Sequence, residues 1–181
     1  MAIAIIGLAS SVLFLAIDTS LNGSGDARET IIADGLARLL VDEATTRRYS
    51  GAGSGAYQWP LCPNATEMAG TGRERYDDAD DYVSFTAMPA KDAWGVEMGR
   101  GNGAGGTRPS NFRLASGYFA NWKQKMEVYY VSNTNLTQRL ADGYTSDYRC
   151  IEAQIIRVDP DGSERLLSKV RRVIPYVPPP Q

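Results

Sequence analysis

The sequence predicts an α+β fold in which a long N-terminal helix packs on a C-terminal antiparallel β-sheet. Three observations support this prediction: an apolar opening over residues 1–17, a helical apolar periodicity over 26–48, and alternating apolar residues after Trp122. The same patterns divide the 181 residues into an apolar helix and a glycine joint at 1–25, a globular α+β head at 26–176, and a Pro-rich tail at 177–181.

The opening segment contains no charged residue before Asp18. Seventeen helical residues span about 25 Å, which is at the short end for crossing a bilayer. A secretory signal peptide needs basic residues before the apolar run, and an ordinary core helix should carry a polar stripe. The segment therefore favours a membrane-anchoring helix, and the other two interpretations stay open.

A joint and a second helical segment follow. Asn22–Gly25 is a helix-breaking cluster, and Asp26 with Glu29 three residues later resembles a capping box. We therefore expect a non-helical joint and a new amphipathic helix over 26–48. The apolar face of this helix consists of Ile32, Leu36, Leu39 and Leu40. We expect this face to be buried on the sheet.

The middle of the chain is predicted to be rich in loops. Eleven of the 18 glycines lie between Gly51 and Gly106. One strand is predicted over 82–88. The glycine-rich stretch 99–107 is expected to form an exposed, mobile loop.

The last third of the chain predicts three strands, over 122–131, 150–158 and 163–176. In the first strand Met126, Val128 and Tyr130 are expected to share a face, and the apolar residues of the last strand are Leu166, Val170 and Ile174. Asp159–Gly162 predicts a tight hairpin turn, because Pro fixes φ and Gly accepts a positive φ.

The composition argues against an enzyme. The chain has no histidine, so it has neither a histidine-activated nucleophile nor a histidine metal ligand. With 19 Lys+Arg against 21 Asp+Glu, the net charge of −2 leaves no basic footprint for nucleic acid. Gly101–Gly106 matches G-x-G-x-x-G, but no strand precedes it and Pro109 follows, so we expect a flexible loop and no nucleotide.

The segment Ala2–Ala9, AIAIIGLA, resembles the hydrophobic start of type IV pilins and type II secretion pseudopilins. The order of elements is similar too: an apolar half-helix, an amphipathic half-helix, a glycine-rich connection and a C-terminal sheet. The family's leader and its glutamate would precede Met1. We interpret Met1 as internal to a longer protein and assign the glutamate's role to no residue.

The resemblance implies a structural subunit of a helical filament. The subunit would sit in the inner membrane before assembly, with its head in the periplasm, and on the cell surface if assembled into a pilus. Its partners would be copies of itself and other pilin-like subunits. The residues expected to form the assembly helix are Ala4, Gly7, Leu8, Ser11, Val12 and Phe14. Small residues among these permit close helix approach.

Pilus or pseudopilus, and major or minor subunit, stay open. An alternative is a membrane-anchored periplasmic binding module that does not polymerise and grips a partner with the β domain and loop 99–107.

Two further sites are possible. Four clustered carboxylates could bind Ca²⁺ through oxygen ligands, and some pseudopilins bind calcium; a solvated acidic loop is the alternative. These four residues are Asp77, Asp78, Asp80 and Asp81. If the head is exported, as the resemblance requires, Cys62 and Cys150 could form a disulfide; otherwise they are free thiols.

Overall fold

A computed structural model describes residues 2–51 and 55–178, with side chains from Leu13 onward except that of Asn22. The fold is α+β, with a long N-terminal helix and a C-terminal four-stranded antiparallel sheet, as the sequence predicts. The elements are α1 (Ala2–Thr45), α2 (Ala65–Met68), β1 (Thr86–Ala87), β2 (Trp122–Tyr130), β3 (Tyr148–Val158) and β4 (Glu164–Pro175).

The sheet has the strand order β1-β2-β3-β4, with each strand antiparallel to its neighbours. Alternate residues of β2 and β3 face α1 and form the core. These residues include Met126, Val128, Tyr130, Ile151, Ala153 and Ile155. The prediction that Met126, Val128 and Tyr130 share a buried face is confirmed.

The predicted hairpin turn is also confirmed. The N–H of Asp159 donates to the carbonyl of Ser163 and the N–H of Gly162 donates to the carbonyl of Asp159, both at 2.8 Å. Gly162 has a φ of +84°, a conformation that side chains disfavour.

The three apolar residues of β4 named above do not share one face. Val170 and Ile174 pack against the core, but Leu166 is 53% exposed. The pairing of β3 with β4 shifts register between Ile155 and Ile156. This irregularity moves Leu166 to the opposite face, because side chains alternate along a strand.

The buried face of α1 is narrower and richer in alanine than predicted. It consists of Ala33, Leu36, Ala37, Leu40, Val41 and Ala44. Ile32 packs partly against it, whereas Leu39 is 51% exposed, so the prediction that Leu39 is buried is wrong. The small alanines let the helix lie close to the sheet with Leu40 facing it. Leu39 is about 100° around the helix from Leu40 and therefore faces away from the sheet.

The predicted joint is not a break in this structure, because α1 is helical without interruption through Asn22–Gly25. Asp26 consequently does not cap a new helix. Each interior glycine costs about 1 kcal/mol relative to alanine. A break would leave up to four N–H and four C=O groups without intrahelical partners. Losing these backbone hydrogen bonds would cost more than keeping the two glycines in the helix, and this explains why the helix continues.

The predicted strand over 82–88 is reduced to β1. A 3₁₀ turn at Asp80–Tyr82 precedes it, and Ser84 has a φ of +58°. A strand cannot run through a residue in this conformation.

Candidate functional site

The first half of α1 extends beyond the sheet. Every described side chain from Leu13 to Gly25 is exposed. The large apolar ones are between 46% and 74% exposed, namely Leu13, Phe14, Leu15, Ile17 and Leu21. We call residues 13–25 the projecting segment.

Ion pairs mark the point where α1 meets the sheet. Glu29 pairs with Arg157 and lies 2.8 Å from Arg165. Asp26 lies 3.5 Å from the same Arg165. We call these four residues the clamp. The clamp fixes where the projecting segment ends and the packed half begins.

The predicted assembly helix falls largely outside the residues whose side chains are described. This applies to Ala4, Gly7, Leu8, Ser11 and Val12. The remaining residue, Phe14, is 74% exposed in the projecting segment. Where side chains are described, no helical stretch is both long and apolar enough to span a bilayer.

The four predicted calcium ligands all line one cavity, but of these four only Asp77 and Asp81 belong to the cluster of carboxylate oxygens whose spacing would suit a metal ion. The Asp78 carboxylate accepts the backbone N–H groups of Asp80 and Asp81, at 2.9 and 3.3 Å. The Asp80 carboxylate lies 3.3 Å from the guanidinium of the fully buried Arg149. These two aspartates therefore have local structural partners.

Glu67, which the sequence reasoning missed, joins Asp77 and Asp81 instead. One carboxylate oxygen from each of the three lies within 4.8 Å of the others. Asn64 positions Glu67 through a reciprocal capping box at the start of α2. The signal in the sequence was therefore the Asn64-x-x-Glu67 spacing.

These three carboxylates line a cavity of about 290 Å³ together with Gln58. The Oε1 atom of Gln58 is buried and has no hydrogen-bond partner among the described residues. Carboxylate and amide oxygens are donors that suit a hard cation such as Ca²⁺. The donor atoms of this cavity therefore suit such an ion.

We call this cavity the acidic cavity. Two of its carboxyl groups have pKa values raised toward neutral pH. Burial raises the pKa of Asp81 to about 7, and the Glu67 carboxyl beside it adds to the increase. Burial likewise raises the pKa of Asp78 to about 8, with Asp80 adding to the increase. A cation entering this cavity would compete with these protons.

The predicted disulfide is not formed, since Cys62 and Cys150 are both free. Cys62 is exposed and lines the acidic cavity. Cys150 is buried on β3, opposite Tyr129, and its Sγ accepts a hydrogen bond from Nε of Arg171 at 2.8 Å. The two thiols thus belong to different surroundings.

A second cavity, of about 480 Å³, lies between the packed half of α1 and the glycine-rich loop. Its apolar lining includes Leu39, Trp94 and Met98, and Arg108 also lines it. We call this cavity the Leu39 groove. The exposed Leu39 therefore lines a groove, which the sequence did not predict.

The glycine-rich loop is hydrogen-bonded rather than open. Gly101 bridges to Thr107, and the Asn102 side-chain oxygen accepts the N–H groups of Ala104 and Gly106 at 2.9 Å. A Cβ at Gly101 would lie 2.0 Å from a carboxylate oxygen of Asp92, so a larger residue there would require the Asp92 side chain to move. The G-x-G-x-x-G amides of Ala104 and Gly106 are thus already used within the loop.

Comparison with protein families, curated proteins and solved structures found no match. The functional argument therefore depends on the two cavities and the projecting segment.

Proposed function

We propose that this protein is a structural subunit of a type IV pilus-like or type II secretion pseudopilus-like helical filament. The observation that carries the proposal is the projecting segment, a helix whose large apolar side chains are covered by no described part of the same chain. In this proposal the helix anchors the subunit in the inner membrane, with the head in the periplasm. It then packs in the filament core, and the filament reaches the cell surface if it is a pilus.

The energetics of the projecting segment support an external partner. Removing one large apolar side chain from water contributes about 1.5–3 kcal/mol. The segment exposes five of them within nine residues, and large contiguous apolar patches are rare on the surfaces of monomeric soluble proteins. Lipid before assembly and neighbouring helices afterwards would both supply the missing apolar surroundings.

A stripe on the packed half favours a filament over a simple anchor. Ile31, Gly35 and Leu39 are exposed and share one helix face at i, i+4 and i+8. They lie 18 residues after Leu13, Ile17 and Leu21, which is five helical turns. Ser24 and Arg28 lie between these two groups on the same face, so lipid can cover only the group in the membrane. The part beside the head therefore calls for another protein surface.

The sequence resemblance adds independent support. The AIAIIGLA start and the order of elements are similar to those of the pilin and pseudopilin family. The α+β architecture, with the helix lying across an antiparallel sheet, is consistent with that layout.

The test is assembly of the full chain after detergent removal, followed by negative-stain electron microscopy. We expect fibres from the wild type and none from Leu21→Asp, because a charge would enter the apolar contact. Phe112→Asp is the matched control, since Phe112 is 70% exposed on the head, and it should still form fibres. Wild-type protein that forms no fibres would contradict the filament and favour the anchored binding module.

A further inference from the structure

The Leu39 groove contains several charged side chains, and nearly all of them already have partners. Asp42 lies 2.7 Å from Arg172. Glu43 accepts two hydrogen bonds at 2.9 Å from Arg73. The Asp92 carboxylate accepts two backbone N–H groups of its own loop, at 2.9 and 3.0 Å.

Arg108 is the exception. Its Nε donates to the carbonyl of Gly101 at 2.6 Å, and no ion pair among the described residues includes it. The groove thus combines an apolar wall with one exposed cation that lacks a counter-ion there. Its electrostatic complement is an apolar surface with a single negative charge.

The projecting segment has this character. Asp18 is the only charged residue between Ala2 and Gly25. Phe14 and Leu21 lie on the same helix face as Asp18, at i, i+4 and i+7, and both are exposed. This face therefore offers two large apolar side chains on either side of one carboxylate.

The segment cannot reach the groove of its own molecule. Leu21 and Leu39 belong to one unbroken helix, and 18 residues separate them by about 27 Å along its axis. Any contact between the segment and the groove must therefore join two copies of the chain.

We propose that the Leu39 groove receives the projecting segment of a second copy, with Phe14 and Leu21 against the apolar wall and Asp18 beside Arg108. This inference rests on the proposed filament function and names a contact within it. The two surfaces are different parts of one molecule, so the contact is heterologous. Such contacts repeat from copy to copy and form open filaments when the rotation does not close.

The first experiment is cross-linking between two full-length variants mixed in detergent, both carrying Cys62→Ser. One carries Leu21→Cys and the other Leu39→Cys. Mild oxidation should give an intermolecular disulfide product. Met88→Cys replaces Leu39→Cys in the control mixture, because Met88 is 49% exposed and lines a different cavity. We expect about tenfold more product from the first mixture, as for a contact stabilised by about 1.4 kcal/mol.

The second experiment reverses charges in the same cross-linking pair. Arg108→Glu or Asp18→Arg alone should lower the yield about tenfold, because like charges then meet. The two changes together should restore it, which a folding defect would not do. Arg75→Glu is the control, since Arg75 is an exposed arginine outside the groove and should leave the yield unchanged.

The outcomes separate the two proposals. Fibres without the Leu21–Leu39 product overturn this contact and leave the filament function standing. The product without fibres supports the contact and overturns the filament. Single reversals without effect, or a double reversal that restores nothing, overturn the pairing of Asp18 with Arg108.

Discussion

The two halves of α1 share one backbone conformation and have opposite surroundings. From Leu13 to Gly25 every described side chain is exposed, whereas from Ala33 to Ala44 one face is almost completely buried. The difference teaches that helix formation and helix burial are separate matters in this chain. The packed half is held by the sheet, and the projecting half is helical before any described partner covers it.

The largest effect is expected from neighbouring leucines on the packed half. Leu40→Ala should lower the free energy of unfolding by about 2–5 kcal/mol, because Leu40 is fully buried in the core. Leu39→Ala is the matched control and should change it by less than about 1 kcal/mol, since half of that side chain is already exposed. Urea unfolding of the full chain in mild detergent measures both. Equal costs would mean that Leu39 is as buried as Leu40.

A smaller effect on stability is expected from a change of pH, which acts on the acidic cavity next to the C-terminal end of α1. The backbone of Arg48, just after α1, hydrogen-bonds to Asp77 and Ala79 beside the acidic cavity. The raised pKa values of Asp78 and Asp81 mean that the folded state binds more protons than the unfolded state above about pH 4. Their contribution to stability is therefore present at low pH and is lost as pH rises through about 7 to 8.

The melting temperature of the wild type should accordingly fall by at least about 2–4 °C between about pH 5 and pH 9. Asp81→Asn should flatten this dependence, because it removes one of the protonated carboxyls. Asp161→Asn should leave it unchanged, since Asp161 is exposed in a turn and its pKa is lowered. A melting temperature that rises with pH would contradict the assignment.

The smallest effect concerns the projecting half. A Cβ at Gly25 would meet no atom within 4 Å, so Gly25→Ala should fit without strain. It should stabilise the local helix by about 1 kcal/mol, which corresponds to about fivefold slower amide exchange around Asn22–Gly25. Gly103→Ala is the control. Gly103 has a φ of +81°, where alanine is strained, so this change should not slow amide exchange around Asn22–Gly25. Unchanged exchange in Gly25→Ala would indicate that the segment is not helical in solution.

The sequence predicted those parts of the fold that depend on local pattern. The alternation in β2 identified Met126, Val128 and Tyr130, and Gly162 identified the hairpin turn. It failed where tertiary packing decides. The alanines of α1 contribute little to an apolar pattern, yet they lie on the face that packs against the sheet. Leu39 lies off this face and is therefore exposed.

The candidate sites were less predictable for the same reason. Asp77 and Asp81 were identified from their cluster in the sequence. Glu67 belongs to a separate short helix, and only the tertiary fold brings it close to them. The register shift that exposes Leu166 has no signal in the β4 sequence. The Leu39 groove likewise combines a helix and a distant loop that no short-range pattern connects.

The unbroken helix also has a mechanical consequence. Its 44 residues form a rod about 66 Å long, of which roughly 36 Å extends beyond the clamp. Pivoting the rod by about 10° at the clamp would move its tip by about 6 Å. A small rotation at the clamp thus becomes a large displacement at the far end of the helix. Because its ion pairs are partly exposed, dissolved salt screens them, so higher ionic strength should weaken their contribution to holding the rod.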